Sequence, residues 1–250
     1  MPGTLVWLAA MLWRASRRRE RRWLAGVSRV LAVFPHPDDE TVACGGTLRR
    51  LAQLHRDVTL LVLTSGELGA GAGVPKGELA ARRRAETRDA AAHLGVSRLL
   101  HWELPDGGLA DSRAEMRDRL QSLLAELRPG LVLTYGPDGL YGHPDHVVCS
   151  QLVTETCARA RPEPRLWYVA IPRRLRRALV RLGSLPQLDG AAPAPTLCVF
   201  VWPSLVSRIR AWRAHRSQRR AIGAGAARLL PGWLLPALQP WECFHEVAAR

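Results

Sequence analysis

The sequence predicts an α/β protein with a mainly parallel sheet that helices cover on both faces. Short β-prone apolar runs alternate with helical patterns along most of the chain, which is typical of strand–helix–strand units. Several of these runs, such as Val30–Phe34, contain only apolar residues, as buried strands do. A length of 250 residues is enough to bury one sizeable core. A single domain is therefore expected, although two smaller domains also fit this length.

The elements can be placed in order along the chain. Strands are predicted near 30–34, 58–63, 98–102, 131–135, 166–171 and 197–201. Helices are predicted between the first five, at about 41–55, 78–94, 113–128 and 145–160. The turn at 136–139 reads Gly-Pro-Asp-Gly, which separates the fourth strand from the following helix. No internal repeat is visible.

The first strand is followed by Pro35-His36-Pro37-Asp38-Asp39-Glu40, which occupies a strand-to-helix turn. Such turns hold ligand sites in open α/β sheets. His36 and Asp39 are three residues apart, so a bent loop can direct both toward one cation and leave Asp38 free. Imidazole and carboxylate groups suit zinc well and other divalent ions acceptably. Glu40 is predicted to begin the helix, where its charge favours the helix dipole.

The second loop, Tyr141-Gly142-His143-Pro144-Asp145-His146, follows the fourth strand. His146, at the predicted helix start, is the third expected ligand. Three protein ligands and one open position are typical of catalytic zinc. His143 lies three residues earlier and can face the open position, and Asp145 beside it is expected to orient or charge its ring.

Simpler interpretations of each residue exist. A single histidine in a chain of this length is more often structural, and paired aspartates after a strand more often form a turn or a helix cap. The occurrence of both clusters after apolar runs favours a hydrolytic metal site, because ligands and free proton-transfer groups occur together.

With these two loops, the sequence resembles a known family, the LmbE-like or PIG-L deacetylases. The resemblance rests mainly on the two loops and covers roughly residues 30–220. Supporting segments are Thr64-Ser65-Gly66-Glu67, Arg83-Arg84-Ala85-Glu86, Leu94-Gly95 and His215-Arg216-Ser217-Gln218. The glycine-rich segment 69–77 departs from the family pattern and is interpreted as a rim over the site or as a plain linker.

The resemblance implies a Rossmann-like fold and a zinc-dependent N-deacetylase. Its substrate would be a small-molecule or lipid-linked N-acetylglucosaminyl conjugate. By this resemblance, zinc ligands would be His36, Asp39 and His146. Asp38 would be the general base and His143 would stabilise the oxyanion. Tyr141 matches a position where the family can carry a tyrosine that polarises the carbonyl group.

Five cysteines are present, Cys44, Cys149, Cys157, Cys198 and Cys243, and no two have Cys-x-x-Cys spacing. An odd number without metal-binding spacing favours reduced, buried thiols in a cytoplasmic protein. Cys44 and Cys149 follow the two loops and are interpreted as packing residues.

Positive charge is concentrated at the flanks of the chain. The net charge of +14 comes from residues 1–30 and 171–220, which are rich in arginine and tryptophan. This composition is typical of a surface that contacts anionic membrane, although a solvated surface without a partner fits it equally well. We therefore expect a basic N-terminal segment, 1–29, as a possible membrane-surface anchor. Residues 221–250 are expected as a C-terminal extension packed on or near the domain, and the protein is expected to be cytoplasmic or peripheral on the inner face of the membrane.

Two other functions fit parts of the pattern. Flanking arginines could clamp phosphate in a metal-dependent phosphoester hydrolase, and a sequence pI near 11.1 could indicate nucleic-acid binding. Nucleic acid is disfavoured as a partner, because no recognised binding motif is apparent and such binding does not require the two loops.

Overall fold

The structure is a computed structural model that describes residues 23–69, 73–187, 192–218 and 239–248. Within these residues, the strands are β1 (Arg29–Phe34), β2 (Asp57–Thr64), β3 (Arg98–Leu104), β4 (Leu131–Tyr135), β5 (Arg165–Ala170), β6 (Leu197–Phe200) and β7 (Trp241–Glu246). The helices are α1 (Asp39–Gln53), α2 (Lys76–Leu94), α3 (Arg113–Leu127), α4 (Gly139–Gly142), α5 (Pro144–Arg159), α6 (Arg173–Arg181) and α7 (Leu205–Ala214). A 3₁₀ turn, Trp202–Ser204, precedes α7.

The sheet order is β3-β2-β1-β4-β5-β7-β6. Strands β1 to β5 pair in parallel, whereas β7 is antiparallel to both β5 and β6. The carboxyl ends of β1 and β4 therefore lie side by side at one edge of the sheet. The chain leaves β1 toward β2 and returns to β4 on the other side, so these two strands mark the point where the strand order reverses. Ligand crevices of open α/β sheets form at such points.

The core has one layer on each face of the sheet, as the continuous apolar runs predict. In β1, alternate side chains enter different layers: Val30, Ala32 and Phe34 pack with α1, α2 and α7. Leu31 and Val33 pack on the other face with α3 and α5. The predicted α/β class, the mainly parallel sheet and the single domain are confirmed, and the six predicted strands and four predicted helices are present within a few residues.

The last strand of the chain supports the helix that begins in the first loop. Helix α1 is interrupted at Cys44, whose φ is −152°. The interruption leaves the N–H groups of Gly46 and Thr47 available, and both donate to the buried Glu242 carboxylate of β7, at 2.9 and 2.7 Å. Arg208 of α7 pairs with the same carboxylate at 3.4 Å. A buried carboxylate with charged and backbone partners thus fixes α1 against the sheet.

The expectation of uniformly reduced cysteines is wrong. Cys198 of β6 and Cys243 of β7 are opposite each other in the sheet and form a disulfide. Spacing along the sequence could not predict this pair, because the two cysteines are 45 residues apart. The other three cysteines are free and buried. Burial raises the pKa of Cys149 to about 12, which agrees with a packing role.

The ends of the chain are described only in part. The proposed anchor 1–29 lies mainly outside the described residues, as does much of the 221–250 extension. Within the described part, Leu24 and Val27 already belong to the core, and β7 is an internal strand of the sheet. Residues 70–72 of the glycine-rich rim are also outside the described ranges. Among the described helices, none has the length and apolar character needed to cross a membrane.

Candidate metal centre and active site

The two loops meet above the adjacent ends of β1 and β4. In the first loop, the His36 backbone N–H donates to Asp39 Oδ2 at 2.8 Å, which closes the turn between these residues. In the second loop, His146 lies in the first turn of α5 and is fully buried. His36 Nδ1 and His146 Nε2 are 3.2 Å apart. The structure therefore brings the two predicted histidine ligands together.

Hydrogen-bond partners determine which nitrogen of each ring presents a lone pair. His36 Nε2 faces Asp106 Oδ1 at 3.0 Å and Asp145 Oδ2 at 3.2 Å, so this nitrogen carries the proton. His146 Nδ1 faces the Gly139 carbonyl oxygen at 3.1 Å and is likewise the donor. When both rings are neutral, the remaining nitrogens, which point toward each other, are therefore acceptors. Donation by the outer ring nitrogen to an oxygen is the usual arrangement of metal-binding histidines.

Asp39 completes a triangle of three candidate ligand residues. Its Oδ2 lies 3.4 Å from His36 Nδ1, and its other oxygen, Oδ1, lies 3.5 Å from His146 Nε2. With metal–ligand bonds of about 2.0–2.2 Å, the ligands of a tetrahedral site are separated by about 3.3–3.6 Å. The two ring nitrogens, 3.2 Å apart, are close to this range, and each Asp39 oxygen has such a separation from one of the two rings. The Tyr135 hydroxyl donates to Asp39 Oδ1 at 2.8 Å and orients the carboxylate.

The pKa values of these groups reflect their mutual proximity. Burial lowers the pKa of His146 to about 4, which keeps this ring neutral near pH 7. The pKa of Asp39 is also lowered, because the nearby His146 and His36 outweigh the effect of burial. Burial alone would lower the pKa of His36. Hydrogen bonds to Asp106, Asp145 and Asp39 have a larger, opposite effect, so the pKa is raised well above its usual value. At a position surrounded by carboxylates, a proton and a metal ion compete for the same nitrogen.

Asp38 lies beside this triangle in a strained conformation. Its φ of 94° is in the left-handed region, which residues other than glycine rarely adopt. Arg83 of α2 fixes the loop by donating to the Pro37 and Gly66 carbonyl oxygens, at 2.6 and 2.7 Å, and it approaches Asp38 Oδ2 at 3.4 Å. Burial raises the pKa of Asp38 to about 7, although Arg83 opposes the shift. A carboxyl group with such a pKa exchanges protons near neutrality, as general bases do.

Glu40 supports the loop from within the protein. It is fully buried, and one carboxylate oxygen accepts from the Asp38 backbone N–H at 3.1 Å. The other accepts from Thr41 Oγ1 at 2.6 Å and lies 3.0 Å from His215 Nε2. Glu40 thus lies in the first turn of α1, one residue after the helix begins, close to the predicted start. It also connects the strained backbone at Asp38 to His215, which follows α7.

The two supporting sequence segments at 83–86 and 215–218 meet in the fold. Ser217 donates to Glu86 twice, through its backbone N–H at 2.9 Å and its hydroxyl at 2.7 Å. This connection holds the residues after α7 against α2 and therefore places His215 beside Glu40. Both segments act in the described structure by positioning the first loop.

The expected pairing of His143 with Asp145 is wrong in one respect. The Asp145 carboxylate is directed away from the His143 ring and accepts from His36 and from the Gly107 backbone N–H. Only the backbone N–H of Asp145 contacts His143, donating to Nδ1 at 3.2 Å. Burial and nearby His36 lower the pKa of His143 and outweigh the opposing effect of Asp145. His143 is therefore a neutral ring whose Nε2 carries the proton, not a cation.

Two residues border the open side of the site. Tyr141 is 38% exposed, and its hydroxyl lies 3.4 Å from His146 Nε2. Burial of its hydroxyl and the nearby Asp39 raise the pKa of Tyr141, so it remains a phenol that can donate a hydrogen bond. His143 brings a ring nitrogen within 4.8 Å of those of His36 and His146, so it could also approach a shared ion.

Sequence reasoning missed Asp106. This residue follows β3 in Pro105-Asp106-Gly107-Gly108 and pairs with His36 Nε2 on the side of the ring opposite the triangle. A carboxylate immediately after a strand is the same signal that identified the two loops, so it could have been found. Its hydrogen bond lowers the pKa of Asp106 despite burial, which keeps the carboxylate ionised.

Comparisons with known proteins agree with this arrangement. Residues 31–157 match the PIG-L family, described as GlcNAc-PI de-N-acetylase. A 1D-myo-inositol 2-acetamido-2-deoxy-alpha-D-glucopyranoside deacetylase from Actinosynnema mirum is 32% identical over 82% of this chain and 86% of its own. A protein with the same description from Mycolicibacterium vanbaalenii is 30% identical over 89% of this chain and 91% of its own.

Solved structures show the same fold. N,N'-diacetylchitobiose deacetylase from Pyrococcus horikoshii is 25% identical, with a TM-score of 0.67 over 90% of this chain and 85% of that one. The 4-carboxy-2-hydroxymuconate hydratase from Pseudomonas putida has a TM-score of 0.66 at 15% identity over 89% of this chain and 97% of its own, which shows the fold alone.

Proposed function

Because the chain belongs to the PIG-L family, we propose that it removes the acetyl group from an N-acetylglucosaminyl group joined to inositol. The observation that carries the proposal is the meeting of His36, Asp39 and His146 at the carboxyl ends of β1 and β4, with the Asp38 carboxyl group beside them. The relatives that act on this substrate match most of the chain. Water would add to the acetamide carbon and the C–N bond would break, giving acetate and a free amine.

We propose that His36, Asp39 and His146 hold one divalent ion, zinc being the best match to two imidazoles and one carboxylate. Such an ion would polarise the acetamide oxygen and lower the pKa of a water molecule. The second partners of the two rings support this role, since Asp106, Asp145 and Gly139 O leave a lone pair on each inward-facing nitrogen.

Asp38 is the proposed general base. It takes a proton from the attacking water and delivers a proton to the nitrogen of the leaving amine. Its carboxylate is not part of the triangle, and its backbone is fixed by Glu40 and its side chain approached by Arg83, so its position changes little during the reaction. A base that is already oriented lowers the barrier without a further entropy cost.

His143 and Tyr141 are the proposed donors to the carbonyl oxygen. Negative charge develops on this oxygen when water adds to the acetamide carbon. Because His143 Nδ1 accepts from the Asp145 backbone, its Nε2–H is available to donate. Stabilisation by a donor that is already in place requires no reorganisation when the charge develops.

Acetate release tests the proposal most directly. The purified protein would be supplied with 1D-myo-inositol 2-acetamido-2-deoxy-α-D-glucopyranoside and, separately, with N,N'-diacetylchitobiose. We expect acetate and a stoichiometric amount of amine from the inositol compound, loss of activity after chelation, and recovery with added zinc. Faster hydrolysis of the chitobiose would contradict the inositol assignment, and activity that survives complete metal removal would contradict the metal role.

A parallel assay tests the alternative function, metal-dependent phosphoester hydrolysis. The same preparation would be given a generic phosphomonoester and a phosphodiester, and inorganic phosphate or alcohol release would be measured. We expect neither. Phosphate release that depends on His146, without acetate release, would replace deacetylation by phosphoester hydrolysis.

A further inference from the structure

Helix α6, Arg173–Arg181, is unlike the other long helices of the described structure because none of its residues is buried. Five of its nine residues are arginine, and residues 171–187 contain no acidic residue. Positive charge at this density is costly unless an anionic partner offsets it. The helix is also not purely polar, since Leu175 is 45% exposed and Leu182, immediately after it, is 57% exposed.

The exposed side chains of α6 form two parallel stripes. Positions three and four apart share one face of a helix. Leu175, Ala178 and Leu182 have this spacing and are exposed, which gives an apolar stripe. A basic stripe runs beside it and consists of the exposed Arg174, Arg177 and Arg181. Apolar and cationic stripes side by side are characteristic of helices that lie in the plane of a membrane interface.

One of the two other arginines of the helix connects it to the candidate active site. Arg176 is mostly buried and donates to the Leu140 carbonyl oxygen at 2.8 and 2.9 Å and to Asp138 Oδ2 at 2.9 Å. Both acceptors belong to the turn that carries Tyr141. Helix α6 follows the carboxyl end of β5, so it lies at the same edge of the sheet as the two loops. Trp202 follows β6, which runs in the direction of β5, and is 54% exposed at this edge.

We propose that α6 docks the protein on an anionic lipid surface. The basic stripe would contact lipid phosphates while Leu175 and Leu182 enter the boundary between headgroups and acyl chains. A tryptophan at the same edge suits headgroup depth. Nucleic acid fits less well, because its phosphate backbone offers no partner for the exposed leucines. Docking in this orientation turns the edge that contains the active site toward the headgroups.

Vesicle flotation with the full-length protein tests the docking. Phosphatidylcholine vesicles would be compared with vesicles that also contain phosphatidylglycerol, at low and at physiological salt. We expect binding only with phosphatidylglycerol and weaker binding at higher salt. Combined Arg174→Gln, Arg177→Gln and Arg181→Gln should lower the partition coefficient about a hundredfold, at about 1 kcal/mol for each arginine. Combined Leu175→Ser and Leu182→Ser should lower it about tenfold at both salt concentrations, because burial of apolar surface is not screened.

A matched control separates this surface from the high net charge of the chain. Arg128, Arg159 and Arg161 are exposed at the opposite edge of the sheet, before β4 and β5. Their combined replacement by Gln changes the net charge equally and should alter vesicle binding by less than about threefold, since charges far from the surface are screened beyond about 8 Å.

Equal losses in the two triple variants, or no binding of the wild type to either vesicle, would overturn the proposal. Duplex DNA would serve as a competitor. Binding of DNA that requires the basic stripe, with vesicle binding that does not, would assign the surface to nucleic acid instead. The test does not depend on the proposed deacetylation, because it measures partition and not turnover.

Discussion

The two loops of the site are held in different ways. In the first loop, residues 35–40, His36, Asp39 and Glu40 are buried, and the contacts come from distant elements such as α2 and the segment after α7. In the second loop, residues 141–146, only the end that carries Asp145 and His146 is buried, whereas Tyr141 is exposed and His143 is intermediate. From this comparison we infer that the first loop fixes two of the proposed ligands and the proposed base, and that the second combines one proposed ligand with groups proposed to meet substrate.

Replacement of a ligand from either loop should have the largest effect. We expect His36→Ala and His146→Ala to lose most bound metal and all measurable deacetylation, because two ligands rarely retain a catalytic ion. Metal analysis of the purified proteins measures this. His93→Ala, an exposed histidine of α2, is the control and should resemble the wild type. Full metal occupancy in both ligand variants would mean that the site lies elsewhere.

The next largest effect should come from Asp38, and it should separate the base from the ligand beside it. Asp38→Asn removes the proton acceptor but no ligand, so we expect metal to be retained and kcat to fall by about 10²–10⁴. Asp39→Asn should instead lose metal. A metal-loaded Asp38→Asn protein with nearly wild-type turnover would rule out the proposed role.

His143 tests the substrate-facing part of the second loop. His143→Ala should keep its metal and lose about 10²–10³ in turnover, as expected for removal of one oxyanion donor. Tyr141→Phe should do less damage, because its hydroxyl lies at the open edge of the site. Titration of metal into the apoprotein distinguishes the roles: a large fall in affinity for His143→Ala would make this residue a fourth ligand.

The contact between Glu40 and His215 tests the support of the first loop. The pKa of His215 is raised, because Glu40 and Asp38 outweigh the effect of burial. A raised histidine pKa contributes stability that is fully present below the unfolded value of about 6.5 and is lost as pH rises through the folded value. Glu40→Gln should therefore lower the free energy of unfolding by about 1.5–3 kcal/mol at acidic pH, and by less at alkaline pH.

Urea unfolding over a series of pH values measures this difference. Because Glu40 also positions Asp38, kcat should fall while KM and metal content change little. A stability difference that increases with pH, or a change in KM alone, would show that the pair does not act in this way.

The sequence predicted most of the fold and the meeting of the two loops that form the candidate site, because both depend on local patterns. Apolar runs identify strands, and His and Asp residues after two of them identify the loops. The strand β7, Trp241–Glu246, was not predicted, since its alternating polar residues give a weak signal and its partners lie far away in the chain. The same reason explains the missed contact between Glu40 and His215, which are 175 residues apart.

The directions of the side chains also could not be predicted from the sequence. Asp145 was expected to charge His143 because the two are neighbours in the chain. Asp145 lies in the first turn of α5, however, and its side chain points toward His36, while His143 acts as the N-cap of that helix. Residues two positions apart at the start of a helix face different directions. Their proximity in the sequence therefore did not predict a contact between the two side chains.

The smallest effect should come from Arg176, which supports the second loop as Arg83 supports the first. Arg83 is 4% exposed and holds two backbone carbonyl groups beside the base. Arg176 holds the turn at Asp138 and Leu140, but this turn carries Tyr141 and no predicted ligand. Arg176→Gln should therefore raise KM about two- to tenfold, in line with the net contribution of about 0.5–1.5 kcal/mol from one hydrogen bond, and leave metal content unchanged. Arg83→Gln should lower kcat instead, because it loosens the backbone that carries Asp38. Steady-state kinetics of both variants, measured at equal metal occupancy, should show a change in KM for Arg176→Gln and a change in kcat for Arg83→Gln. If both variants changed the same parameter, the division between a loop that fixes the base and a loop that meets substrate would be wrong.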